Sequence, residues 1–387
     1  MHAKTKLIHL SRGNKNLDIG SINPPIMRAS TIAFKDHDTW KKNKELRKKE
    51  KVLTYGARGT SINFELEELL AKLEYGYKAQ LLPTGLAALA MVLFTYADKD
   101  GHILISDGVY APVRNICYLL VKKTGVEIEF IKADASDIEK KIKPNTNFIL
   151  CESPSSILYE IIDLPKLCKI AKSKNIVVAI DNTYSSGYLL NPLKLGVDIS
   201  IIAATKYLGG HSDVVMGAVI TNKKEWDKID NMAEILGYNT SPDDCYLVLR
   251  GIRTLAVRLK EHEKNADKIV KYLQSKKEIK NIFYPKLKTH PNNEIFKRDF
   301  KGTNGMITIE FDKKISKKEA IKFADNLKLF SIGCSWGGYE SLVSHMEIPR
   351  SIDDHSHRGQ IIRFHIGLES SSDLIKDLEQ AFKKISY

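Results

Sequence analysis

The chain has 387 residues, more than the roughly 100–200 of one compact domain, so at least two domains are expected. Hydrophobic residues make up 43% and charged residues 28%, with only 23 Gly and 12 Pro, which excludes a disordered, collagen-like or low-complexity chain. The formal net charge of +13 admits a nucleic-acid or membrane-surface role, yet the excess is diffuse and no groove-reading motif accompanies it.

Residues 1 to 50 read as an N-terminal arm, with Pro24 and Pro25 adjacent and little periodicity before Thr39. The basic run Lys41 to Lys51 contains Glu45 and Glu50 and no aromatic residue, the pattern of a solvated helix face. Residues 51 to 242 then alternate strand-length apolar runs with helical patterns, the signature of a parallel sheet with crossover helices. Strands are expected at 102–107, 126–132, 147–152, 177–181, 198–204 and 217–222, with helices at 84–97 and 164–174. A long helix is expected from Pro242 towards Lys276. Residues 243 to 387 follow as a smaller α+β domain, with strands at 305–311 and 361–367 and helices at 317–330 and 371–385. No apolar run approaches the ~20 residues of a membrane span, and the N-terminus lacks a signal-peptide stretch. The five cysteines include no Cys-x-x-Cys pair, and the histidines show no ligand spacing. A cytoplasmic protein with reduced thiols, no metal, and neither nucleic acid nor membrane as partner is expected.

Ligands of open α/β sheets bind at the carboxyl ends of strands. Three ends here carry chemistry: Glu152-Ser153-Pro154, Asp181-Asn182-Thr183 and Thr205-Lys206. A lysine that forms a Schiff base and an aspartate that holds a ring nitrogen protonated are what pyridoxal phosphate requires. Either residue alone reads equally as an ion pair or a solvated loop. Pro83-Thr84-Gly85-Leu86-Ala87-Ala88 enters a helix and could point N–H groups at a phosphate, or be a plain N-cap. Tyr110 could stack on a planar ring, or be a half-buried loop tyrosine.

The segment AATKYLGGHSD (203–213) resembles the lysine motif of the cystathionine-metabolising family of pyridoxal-phosphate enzymes, the Cys/Met metabolism family. NPPIMRAST (23–31), TYGARGT (54–60), PTGLAA (83–88), ESPSS (152–156), DNTY (181–184), SWGGYESL (335–342) and IIRFHIGLE (361–369) agree with it in order and spacing. Trp336 after Ser335, Ser156, Ala203 and the stretch ESPSSILYE are similar to the bacterial β-lyase branch rather than the γ-synthase and γ-lyase branches.

The resemblance implies a type I fold of the aspartate-aminotransferase kind: a large, mostly parallel-sheet domain and a smaller C-terminal α+β domain. It implies Lys206 as cofactor-binding lysine, base and acid, Asp181 on the ring nitrogen, and Tyr110 stacked on the ring. Gly85, Leu86 and Thr205 would hold the phosphate, with Tyr55 and Arg58 reaching it from a neighbouring subunit of a homotetramer. Tyr110 and Tyr55 join Lys206 as the implied catalytic residues. Arg363 would take the substrate carboxylate, with Ser335 and Trp336 beside it. The implied activity is β-elimination of L-cystathionine to homocysteine, pyruvate and ammonia, in methionine biosynthesis. A γ-lyase, a γ-synthase or a broad-specificity lyase with alanine racemase side activity are the alternatives. Three positions depart from the pattern: Ala57 stands where the family has Arg, and Glu234 and Asn115 stand where related β-lyases have Tyr and Asp.

Overall fold

A computed structural model describes residues 2–12, 20–47 and 49–387; Met1, residues 13–19 and Lys48 of the expected arm lie outside the described residues. In chain order its elements are α1 (Ala3–His9), α2 (His37–Leu46), α3 (Ser61–Glu74), β1 (Lys78–Leu82), α4 (Gly85–Tyr96), β2 (His102–Ser106), α5 (Pro112–Thr124), β3 (Glu127–Ile131), α6 (Ile138–Lys141), β4 (Thr146–Glu152), α7 (Leu164–Ser173), β5 (Val177–Asp181), β6 (Ile199–Ala203) and β7 (Gly217–Thr221). There follow α8 (Trp226–Leu236), α9 (Pro242–Arg253), α10 (Leu255–Leu273), β8 (Ile279–Phe283), α11 (Asn293–Asp299), β9 (Met306–Phe311), α12 (Lys317–Asp325), β10 (Ser331–Ile332), β11 (Leu342–Met346), β12 (Ile361–His365) and α13 (Ser371–Phe382).

The first seven strands form one sheet in the order β1-β7-β6-β5-β4-β2-β3, and the last five a second sheet in the order β10-β11-β12-β9-β8. In the large sheet β3, β2, β4, β5 and β6 run parallel, whereas β7 runs antiparallel to both β6 and β1. The short Lys206 loop accounts for that reversal, because no helix lies between β6 and β7 to carry the chain back for a parallel return. Successive residues of one strand enter opposite cores, as a period of two requires. Ile103 and Ile105 pack with α4 and α5, while Leu104 between them packs with α7. Ile201 likewise faces the α4 side and Ile202 the side of α3 and α9. Each such side chain contributes about 1.5–3 kcal/mol by leaving water.

Four expectations are revised. β1 is an additional edge strand that pairs with β7, too short and mixed (KAQLL) to announce itself. The long helix from Pro242 breaks at Thr254 into α9 and α10. The second sheet has five strands instead of two, since β8 (IKNIF) and β11 (LVSHM) bury too little for a clear pattern. The helix expected at 317–330 stops at Asp325, capped by Asn326. The arm begins with α1, whose Leu7 is buried, and the carbonyls of Leu7 and, just past the helix, of Leu10 and Ser11 accept hydrogen bonds from Arg253 at 2.6–2.8 Å. α2 buries no residue, as a solvated face should.

Beneath the β5 and β6 ends lies Glu74, fully buried, with Oε1 accepting from Asn182 Nδ2 at 2.8 Å and Ser200 Oγ at 3.1 Å. Burial pushes its carboxyl from about 4.5 up to about 8. The folded state therefore favours the neutral acid, so this stability is full below about pH 4.5 and is lost as pH rises towards 8. Glu74→Gln should gain on the parent by about 1.4 kcal/mol per pH unit across that window, read from urea melts at matched protein concentration. Parallel pH curves for the two proteins would contradict it.

Candidate active site

The ends of β4, β5 and β6 converge on one cleft. Asp181, at the tip of β5, is buried; its Oδ1 accepts from the Thr183 N–H at 3.0 Å, and Oδ2 makes no hydrogen bond among the described residues. Thr183 in turn fixes β6, its hydroxyl accepting from the Ala203 N–H at 2.8 Å. Burial pushes the Asp181 carboxyl above the usual range, while the Thr183 bonds and the Lys206 charge pull it back.

α4 ends against the tip of β6. Thr84 caps it, its hydroxyl accepting from the Ala87 N–H at 2.9 Å and its carbonyl from the Ala88 N–H at 3.1 Å. The N–H groups of Gly85 and Leu86 have no hydrogen-bond partner among the described residues, since a helix cannot satisfy its own first turn. A Cβ on Gly85 would lie 2.5 Å from Ala203 Cβ, and one on Gly217 2.3 Å from the Thr84 carbonyl. Only glycine at both places lets the helix end press against the β6–β7 junction. The Thr205 hydroxyl there donates to Met216 O at 3.2 Å and accepts from Met216 N–H at 3.0 Å.

Lys206 follows. Its Nζ donates to Ser335 Oγ at 2.9 Å and stands 5.3 Å from the Trp336 ring centroid. Burial, reinforced by the Arg363 charge, lowers its amine to about 8. The loop bearing Ser335 and Trp336 comes this close because Gly337 adopts φ +89°, and a Cβ there would lie 2.8 Å from Tyr207 N. Arg363, in the middle of β12, is anchored by one hydrogen bond from Nη2 to Cys334 O at 2.8 Å, which leaves the rest of its fork for a carboxylate.

Tyr110, 47% exposed, hangs over the same cleft, its backbone N–H donating to Glu152 Oε2 at 2.6 Å. Burial raises its phenol, with Cys334, Arg363, Glu152 and Asp181 all within electrostatic reach. Tyr55 and Arg58 are not brought to this group. Tyr55 is 53% exposed, and Arg58 pairs with Glu234 on α8, which also receives Arg47 at 3.1 Å. These three charged residues and Ala57 line a separate cavity of about 420 Å³ that none of the cleft residues above enters. Asn115 is exposed on α5.

The cleft fits pyridoxal phosphate on three structural points. A buried carboxylate presents a free oxygen for a protonated ring nitrogen, two free N–H groups at a helix N-terminus suit a phosphate, and an amine of lowered pKa suits an aldehyde. The profile of the family described as Cys/Met metabolism PLP-dependent enzyme matches residues 4–383. A cystathionine beta-lyase of Haemophilus influenzae is 37% identical, covering 99% of this chain and 98% of its own. An L-alanine/L-glutamate racemase of Wolbachia pipientis wMel is 35% identical, covering 99% and 98%. The crystal structure of metB from Corynebacterium glutamicum superposes with a TM-score of 0.89 at 31% identity, covering 99% and 98%. The chain belongs to the Cys/Met metabolism family of PLP-dependent enzymes, and it has their type I fold.

Two residues that shape the cleft carry no assigned role from sequence. Gly337, though inside the SWGGYESL segment, acts through backbone geometry that no spacing reveals. Asp107, buried one residue past β2, obeys the strand-end rule that found Asp181. The lowered amine has a direct consequence, because only neutral Lys206 attacks an aldehyde. Capture of pyridoxal phosphate by the apoprotein should accelerate with pH and level off above about 8, followed by stopped-flow absorbance. A plateau only near the ordinary lysine value of ~10.4 would contradict the placement of Lys206.

Proposed function

We propose that this protein cleaves L-cystathionine by β-elimination, releasing homocysteine, pyruvate and ammonia. The observation that carries the reading is the Lys206 amine, lowered to about 8 and seated between Asp181 on one side and Ser335, Trp336 and Arg363 on the other. Full-length similarity to cystathionine beta-lyases supports the choice of substrate.

Arg363 grips the α-carboxylate through its free guanidinium edge, which orients the Cα–H bond towards Lys206. Pyridoxal phosphate, when bound, supplies the electron sink for the carbanion left at Cα. Neutral Lys206 takes that proton as a base near its own pKa. The Cβ–S bond then breaks, and the Lys206 ammonium returns a proton to the departing sulfur. The remaining three-carbon enamine takes up water to give pyruvate and ammonia, so atoms and charges balance. Asp181 holds the ring nitrogen, Gly85 and Leu86 N–H groups and Thr205 hold the phosphate, and Tyr110 covers the ring face. Ser335 receives the resting amine and Trp336 walls the pocket. Tyr55, exposed and unbonded to its own cleft, serves with Arg58 the site of a second copy in a cytoplasmic homotetramer.

A second reading has its own support. The relative named a racemase is as similar as several lyases, and the Ala57 and Glu234 departures change one rim of the molecule. Reprotonation of the same carbanion on its opposite face gives the enantiomer, so alanine racemisation is proposed as a side activity. Purified protein given L-cystathionine should yield pyruvate and homocysteine, and Lys206→Ala should lose at least ~10³-fold of the rate. Release of 2-oxobutyrate instead would transfer the assignment to γ-elimination, and D-alanine formed from L-alanine faster than pyruvate from cystathionine would transfer it to racemisation.

A further inference from the structure

We propose that Glu152 serves the bound cofactor as a neutral carboxylic acid, donating a hydrogen bond to the phenolic oxygen of the ring. The inference rests on the pyridoxal-phosphate reading above and concerns a residue to which that reading gives no role.

Position comes first. Glu152 ends β4 as Asp181 ends β5, and the two are register partners across neighbouring parallel strands. Their side chains therefore share one face of the sheet, about 4.8 Å apart in strand spacing. The candidate phosphate cradle lies on the other side of Asp181, where α4 abuts Ala203 at the end of β6. In pyridoxal phosphate the phosphate arm and the phenolic oxygen flank opposite sides of the line from ring nitrogen to aldehyde carbon. With the nitrogen on Asp181, the aldehyde carbon on Lys206 and the phosphate on the β6 side, the oxygen falls on the β4 side, at Glu152.

Hydrogen bonding supplies the second argument. Glu152 Oε2 already accepts from the Tyr110 N–H at 2.6 Å, and Oε1 makes no hydrogen bond among the described residues. No cation forms an ion pair with it among them. The groups facing it are Asp181 on β5, Tyr159 and Glu160 after β4, the Tyr110 N–H after β2, and Arg350 from the segment joining β11 to β12. Arg350 is engaged elsewhere, donating to both Glu160 carboxylate oxygens at 3.0–3.1 Å and to Asp107 O at 2.6 Å. Burial, then the Asp181 charge, pushes the Glu152 carboxyl well above the usual range, against the pull of the Tyr110 N–H and Arg350. Both carboxyls are raised, Glu152 the further, and a cationic ring nitrogen on Asp181 favours its ionised form, which leaves Glu152 as the acid of the pair that donates.

The test uses holoenzyme of the parent, Glu152→Gln and Glu152→Ala, with two readouts besides turnover: the pH midpoint of the bound cofactor's visible band, and the cofactor dissociation constant by equilibrium dialysis. Gln keeps a neutral donor, so both quantities should stay within about twofold of the parent. Ala removes the donor that favours the deprotonated oxygen. Its midpoint should rise by about one pH unit and its cofactor affinity should fall about tenfold. An ionised Glu152 would behave otherwise: Gln would lower the midpoint, and that result overturns the inference, as does an Ala variant matching the parent. An infrared carbonyl band of a neutral carboxylic acid in the parent near neutral pH, lost in either variant, is the independent reading, and its absence also overturns it. A parent that binds no pyridoxal phosphate overturns the functional reading together with the inference, whereas a coloured parent with a shifted Glu152→Gln overturns the inference alone.

Discussion

The rest of the structure depends on how tightly the chain from Ala204 to Gly210 is held, because that stretch carries Lys206 and lies where no helix or strand can fix it. Backbone contacts do the fixing. Thr183 ties Ala203 to β5, Met216 closes the loop onto Thr205, and α9 presses so close that a Cβ on Gly251 would lie 2.1 Å from the Gly209 carbonyl. Arg258 joins these parts from inside: Nη2 donates to both Tyr207 O and Gly251 O at 2.8 Å. Burial lowers this guanidinium to about 10, yet it stays charged at neutral pH and its bonds are correspondingly strong. The break between α9 and α10 places Arg258 there, since its Nε also bonds the Thr254 hydroxyl at the kink.

Charge in the cleft is arranged by burial more than by pairing. Asp181 forms no ion pair among the described residues, burial pushes the Glu152 carboxyl well above the usual range, and Lys206 is lowered beside Arg363. Each of these groups is costly where it stands without a partner, and a zwitterionic substrate with a charged cofactor supplies the partners. The free energy stored in unmatched groups at rest therefore becomes binding and catalysis when they are matched. The value of about 8 for Lys206 suits the base proposed for it, because a base is most effective when its pKa is near the working pH.

Legibility from sequence followed the same physical lines. Buried strands flanked by helices gave clear apolar runs, and all six expected strands of the large sheet are present. That Lys206, Asp181, Gly85 and Arg363 lie around one cleft was legible because motif types mark strand ends, a helix start and a central strand position. β1, β8 and β11 were not, since edge and half-exposed strands lack a run that stands out. The Tyr55-x-x-Arg58 segment shows another limit. A motif fixes residue type, but whether Arg58 points to a phosphate or to Glu234 depends on what α8 presents, and α8 lies far along the chain.

The two sheets must also act together, since Arg363 and Ser335 belong to the small one and Lys206, Asp181 and Tyr110 to the large one. The segment between β11 and β12 makes the connection. Asp107, fully buried, accepts from the Ser351 and Ile352 N–H groups at 2.8–2.9 Å and from Arg114 at 2.6 Å. Although burial works against it, the Arg114 bond and these N–H groups hold its carboxyl below the usual range. Arg350, nearly inaccessible, bridges Asp107 and Glu160 at the same junction. Asp107 sits three residues before Tyr110, and the bridging segment leads into the strand that carries Arg363. Because such buried, bonded charges are strongly coupled, with about 3–5 kcal/mol at stake in a broken pair, Tyr110 over the cleft and Arg363 keep one fixed relation. The two side chains are thereby set before any ligand arrives, which is the preorganisation that the proposed chemistry at one carbon demands.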